Sequence, residues 1–131
     1  MTLSKYNRAA LIKYRLGQAN ETLQSAKLLM DNGYSLIGVV NRLYYACFYA
    51  ASALFVSRGI LIKGHRSVAP MLALHFVKTG ELNNQWLKHY SNLLRNRMTG
   101  DYDEFAEFER DKVSQMFEDS EGFIVTISSL I

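Results

Sequence analysis

The residue most out of place in this chain is an arginine. Leu82, Trp86, Tyr90, Leu93 and Arg97 recur at steps of four, four, three and four, so Arg97 falls on the apolar stripe of a helix, one turn beyond Leu93. An arginine on such a stripe needs a partner, because a buried charge left unpaired is very costly. Asp101 stands four residues on and Tyr102 follows it, which offers an ion pair at helix spacing and a nearby hydroxyl. Two readings stay open. In one, Arg97 and Asp101 brace the loop that leads into the last helix. In the other, Arg97 contacts a phosphate, a task that suits the planar guanidinium. Asp101 then orients it or relays a proton, and Tyr102 donates its hydroxyl. Arg95 and Asn96 are second choices for the same anion site.

Other common chemistries lack their residues. The chain has no glycine-rich phosphate loop, no cysteine cluster, no His-Glu-x-x-His and no Glu-x-x-His pair. No metal and no cofactor is therefore expected. The single cysteine, Cys47, cannot form an intramolecular disulfide; set among apolar residues, it reads as a small core residue of a protein in a reducing cytoplasm. His89 shares a helix with Arg97 but lies two turns away, and His65 reaches Arg97 only through the tertiary fold or a dimer. Tyr44, Tyr45, Phe48, Tyr49 and Phe55 could stack bases. At helical spacing in an apolar helix, they read instead as core or dimer interface.

The elements that must position these residues are helices. The chain of 131 residues is one domain's worth, residues 1–131, and 49% of it is apolar, enough for one core. Ile12, Leu16, Ala19, Leu23, Ala26 and Met30 form one stripe, closed by Asp31-Asn32-Gly33 with Gly33 at the left-handed position. A second helix, from Tyr34 or Ser35 to Arg58, is apolar almost all round and must be covered on most sides, by the bundle or by a second subunit. A shorter helix spans Arg66 to Lys78 with Pro70 in its first turn, and a fourth spans Asn83 to Met98. Thr99 to Glu107 reads as a loop broken by Gly100, and a last helix carries Val113 to Leu130. The fold class is all-α: an antiparallel up-down bundle of four long helices plus one short one. No apolar run approaches the roughly 20 residues of a membrane span, and no signal peptide is visible, so neither membrane nor export is expected. The net charge of +3 permits a nucleic-acid partner without indicating one. Carboxylates gather in residues 101–121, and basic residues with all three histidines in 58–97.

The segment from Asn41 through Tyr44-Tyr45-Ala46 to Leu54 resembles the second-helix signature of the HEPN family. Lys63-Gly64-His65 is similar to the basic-histidine turn that follows it there, and Arg97-x-x-x-Asp101-Tyr102 to the arginine-to-aspartate-tyrosine motif of one bacterial and archaeal branch. Phe123-Ile124 falls where that branch carries a closing aromatic-aliphatic pair. The resemblance implies a homodimeric bundle, often paired as a toxin–antitoxin module with a nucleotidyltransferase. It also implies action on RNA or nucleotides, with Arg97, Arg95, Asn96 and His65 as phosphate-binding candidates. Nuclease members of the family use arginine and a histidine four to six residues on, without metal. Here the corresponding windows after Arg95 and Arg97 hold no histidine, and the fourth residue after Arg97 is Asp101. Two functions follow: a toxin–antitoxin or defence protein that binds or cleaves RNA, or a non-catalytic dimerising module for a partner protein such as a nucleotidyltransferase.

Overall fold

A computed structural model describes residues 4–102 and 107–131, and at residues 101 and 102 the backbone alone. All its regular elements are helical: α1 (Lys5–Asp31), α2 (Leu36–Ser57), α3 (Val68–Leu72), α4 (Asn84–Tyr102) and α5 (Arg110–Ser129). A 3₁₀ turn, His65–Ser67, leads into α3 and a π turn, Ala73–Val77, leads out of it. The short helix expected as one piece is thus a single helical segment wound three ways.

Each boundary has a local cause. Ser4 caps α1 by accepting from the Asn7 amide at 3.1 Å, and Ser35 caps α2 by accepting from the Gly38 amide at 3.3 Å. Between them, Gly33 takes a φ of 70° and the Tyr34 amide reaches back to the Leu29 carbonyl at 2.9 Å. That turn folds α1 and α2 into a tight hairpin.

α2 is the core helix. Val39, Val40, Leu43, Tyr44, Ala46, Cys47, Ala50, Ala51, Ala53, Leu54 and Phe55 are buried along it, and it packs against α1, α4 and α5. By length and composition this helix is apolar enough to cross a membrane, which corrects the expectation that no segment is; most of the qualifying stretch is buried inside the bundle.

The expected loop at Thr99 is also corrected. α4 continues through Gly100 to Tyr102. A Cβ at Gly100 would lie 3.2 Å from both Ile37 Cγ2 and Phe108 Cε2, so this glycine is there for close packing and does not break the helix. Gly122 on α5 does the same for Trp86, whose Cη2 would stand 2.6 Å from an added Cβ.

Candidate functional site

Arg97 lies inward on α4, as its place on the stripe requires, and is half-buried. Its Nη2 donates to Tyr45 Oη at 3.1 Å. Its guanidinium carbon stands 5.2 Å from the ring centroids of both Tyr44 and Tyr45. Consecutive tyrosines on α2 thus form an aromatic seat for the cation, a contact worth about 0.5–2 kcal/mol depending on desolvation. The Arg97–Asp101 pair and the Tyr102 hydroxyl cannot be added to this picture, since both side chains lie outside the described residues.

The fold brings His65 to the same place. Gly64, at a φ of 101°, turns the chain so that His65 opens the 3₁₀ turn over α2. The imidazole stacks on Phe48 with centroids 4.0 Å apart and planes at 19°, and meets Tyr45 edge-on at 5.6 Å. Nδ1 is 2.9 Å from Tyr44 Oη. Behind it the buried Tyr90 donates to Tyr44 Oη at 3.3 Å. Burial, and then the charge of Arg97, hold the His65 pKa below its ordinary value of 6.5. Burial raises the Tyr44 pKa, against the opposing pulls of Tyr90 and Arg97, and it raises that of Tyr90. At neutral pH the His65 imidazole and the Tyr44 and Tyr90 phenols are therefore neutral.

The other candidates lie elsewhere. Arg95, two residues from Arg97 and so on the far side of α4, is exposed. It lines a groove of about 700 Å³ with Asn84, Lys88, His89, Asn92 and Asp119. Asn96 spends its amide on its own helix, donating to the Asn92 carbonyl at 2.7 Å. His89 sits over a second polar network: its Nε2 is 2.9 Å from Ser120 Oγ, and Ser120 donates to the Met116 carbonyl at 2.7 Å. Cys47 borders this network, fully buried, and burial pushes its thiol up to about 12, which rules out a thiolate at neutral pH.

Sequence reasoning weighed Tyr44 and Tyr45 as base stackers and settled on core or dimer interface, and it took Tyr90 as a stripe position; none of the three was read for its hydroxyl. A signal was available: each is a tyrosine where phenylalanine would fill the same space. A buried phenol asks for a hydrogen-bond partner.

The HEPN domain family model matches residues 12–130. A UPF0332 protein of Thermotoga maritima is 40% identical over 121 residues, covering 92% of this chain and 91% of its own. Two proteins of Methanocaldococcus jannaschii provisionally named as toxins, MJ0142 and MJ0605, are 27% and 29% identical, covering 82% and 86% of this chain and 72% and 83% of their own. The crystal structure of TT1696 from Thermus thermophilus superposes with a TM-score of 0.76 over 92% of this chain and 98% of that one; at 15% identity it attests the fold alone. With a bundle of this shape and a family match running almost end to end, the chain belongs to the HEPN domain family.

Proposed function

We propose that this chain is a cytoplasmic, toxin-type HEPN protein, a single domain over residues 1–131, that holds the phosphate of RNA or a nucleotide at the Arg97 cluster and works as a homodimer. One observation carries the reading. A guanidinium, an imidazole and a phenol hydroxyl, from Arg97, His65 and Tyr45, converge from three parts of the chain on one half-buried spot. Arg97 provides the charge and a planar donor face for phosphate oxygens, while Tyr45 and Phe48 fix the geometry. The toxin-type names of the two M. jannaschii relatives support the same direction. Asp101 and Tyr102, one turn beyond Arg97, are proposed as its further partners, with Asp101 orienting the guanidinium.

Binding outlasts catalysis in this proposal. Metal-independent RNA cleavage needs a group that takes and gives a proton near neutral pH. An aspartate paired to arginine stays ionised, and burial together with the Arg97 charge lowers the basicity of His65. The test is a binding and cleavage assay on purified protein with a chelator present. Wild type should bind RNA in a salt-sensitive way with weak or no cleavage, and Arg97→Ala should lower the affinity. Equal binding by the two proteins overturns the phosphate site; robust cleavage lost in Asp101→Asn overturns the binding-only reading.

A second reading, a dimerising module that docks a partner protein such as a nucleotidyltransferase, is favoured by the outer face of α1. There Tyr6 and Tyr14 are 81% and 61% exposed around Ala9, Ala10 and Gly17. Sedimentation at micromolar concentration should give twice the chain mass. A monomer there removes the dimer from both readings.

A further inference from the structure

The hydrogen bonds behind His65 form a chain from Tyr90 through Tyr44 Oη to Nδ1. Tyr90 is fully buried and donates its hydroxyl proton to Tyr44 Oη. The Tyr44 oxygen is then an acceptor on that side, which leaves its own proton for the neighbour at 2.9 Å, His65 Nδ1. A neutral imidazole that accepts at Nδ1 carries its proton on Nε2. Phe48 stacked on one face and Tyr45 edge-on prevent the ring from turning its two nitrogens over without leaving its seat. Ser67 Oγ donating to the Gly64 carbonyl at 2.8 Å holds the turn that delivers it.

We infer that Tyr44 and Tyr90 are positioning residues that lock His65 as the Nε2–H tautomer, so that the site offers a phosphodiester oxygen two kinds of donor, the Arg97 guanidinium and a neutral imidazole N–H. This rests on the phosphate-binding reading of the Arg97 cluster and adds the form of the ligand group: an anionic oxygen acceptor, not a hydroxyl awaiting deprotonation. A base at Nε2 would require the ring proton to move to Nδ1. Tyr44 would then have to turn its proton back toward Tyr90, whose own hydroxyl proton would lose its acceptor in a fully buried place, an expensive rearrangement. The depressed basicity of His65 beside Arg97 agrees with a ring that stays neutral.

Long-range ¹H–¹⁵N correlation on the labelled full-length chain reads the tautomer of each histidine directly. His65 should show the Nε2–H pattern, and added inorganic phosphate or a short oligoribonucleotide should move that N–H pair. Tyr44→Phe should mix the tautomers and weaken RNA binding about tenfold, the loss of one well-placed bond to a charged acceptor. Tyr90→Phe should shift the tautomer ratio less. Because Tyr44 is buried, a second variant pair guards against simple misfolding. His65→Gln, whose amide N–H replaces Nε2–H, should keep most of the affinity, and His65→Asn, which reaches only as far as Nδ1, should lose it. An Nε2 lone pair in the free protein, or equal affinities for His65→Gln and His65→Asn, overturns the inference. The underlying phosphate reading fails separately, through unchanged binding in Arg97→Ala whatever the tautomer.

Discussion

Two histidines in this bundle are held alike and placed differently. His65 lies 2.9 Å from Tyr44 Oη, and His89 lies 2.9 Å from Ser120 Oγ. Burial is the first cause lowering the pKa of each. The second cause separates them. Next to His65 stands the Arg97 cation, which lowers its pKa further; near His89 stands the Asp119 carboxylate, which raises it back. His65 comes from a turn and rests on half-buried aromatic rings, whereas His89 is wedged between α4 and α5 against a serine that is itself committed to the Met116 carbonyl. One hydrogen bond of the same length thus serves a half-buried cluster around a cation in one region and a contact between two helices in the other. With burial and a hydrogen bond common to both histidines, the charge across from each is what distinguishes them.

The largest contrast should appear in RNA binding. Arg97→Ala is expected to weaken it roughly tenfold or more, the scale of one charged hydrogen-bonded phosphate contact. Arg95→Ala, on the groove beside His89, should change it only about twofold. Filter binding with a single oligoribonucleotide measures both, and an effect of Arg95→Ala equal to that of Arg97→Ala would erase the distinction between the regions.

Stability should invert that order. Removing His89 leaves the Ser120 hydroxyl and a packed space without their partner, so His89→Ala should cost about 1–3 kcal/mol by denaturant unfolding. His65→Ala, at the half-exposed turn, should cost less. On the same side of the molecule, Gly122→Ala should cost about 1–3 kcal/mol by driving a methyl into Trp86. A Gly122→Ala protein as stable as wild type would show that Trp86 moves aside freely.

Much of this was legible from the residues. The stripe from Leu82 predicted that Arg97 turns inward, and it does. Gly33 ends α1 as expected, at positive φ, and Gly59 follows α2 in the same conformation. The failures share one physical cause, which is that local sequence does not report what packs across. Gly100 looked like a helix breaker, but Ile37, far off in the chain, and Phe108, beyond the end of α4, use it as a contact point. His65 is 32 residues from Arg97 in sequence, and no spacing rule joins them; the α2 tyrosines do.

The smallest expected effect concerns pH. Both His65 and His89 have folded pKa values below the ordinary 6.5. As pH falls below that value the unfolded chain takes up protons before the folded one does. Stability is therefore complete above about pH 6.5 and declines as pH drops toward the folded values. Thermal melts between pH 7.5 and 5, as assay conditions, should show this decline, and His89→Gln should flatten it more than His65→Gln, because His89 is the more deeply buried. A melting temperature that rises on acidification would reverse the sign.

The central claim is that Arg97, seated on Tyr44 and Tyr45, makes a phosphate contact. The salt dependence of RNA affinity tests it most directly, because each neutralised phosphate adds a slope of roughly 0.7 for single strands in log affinity against log salt. Arg97→Ala should lower the slope by about that amount while its fold, by circular dichroism, stays intact. An Arg97→Ala protein with the wild-type slope would contradict the account.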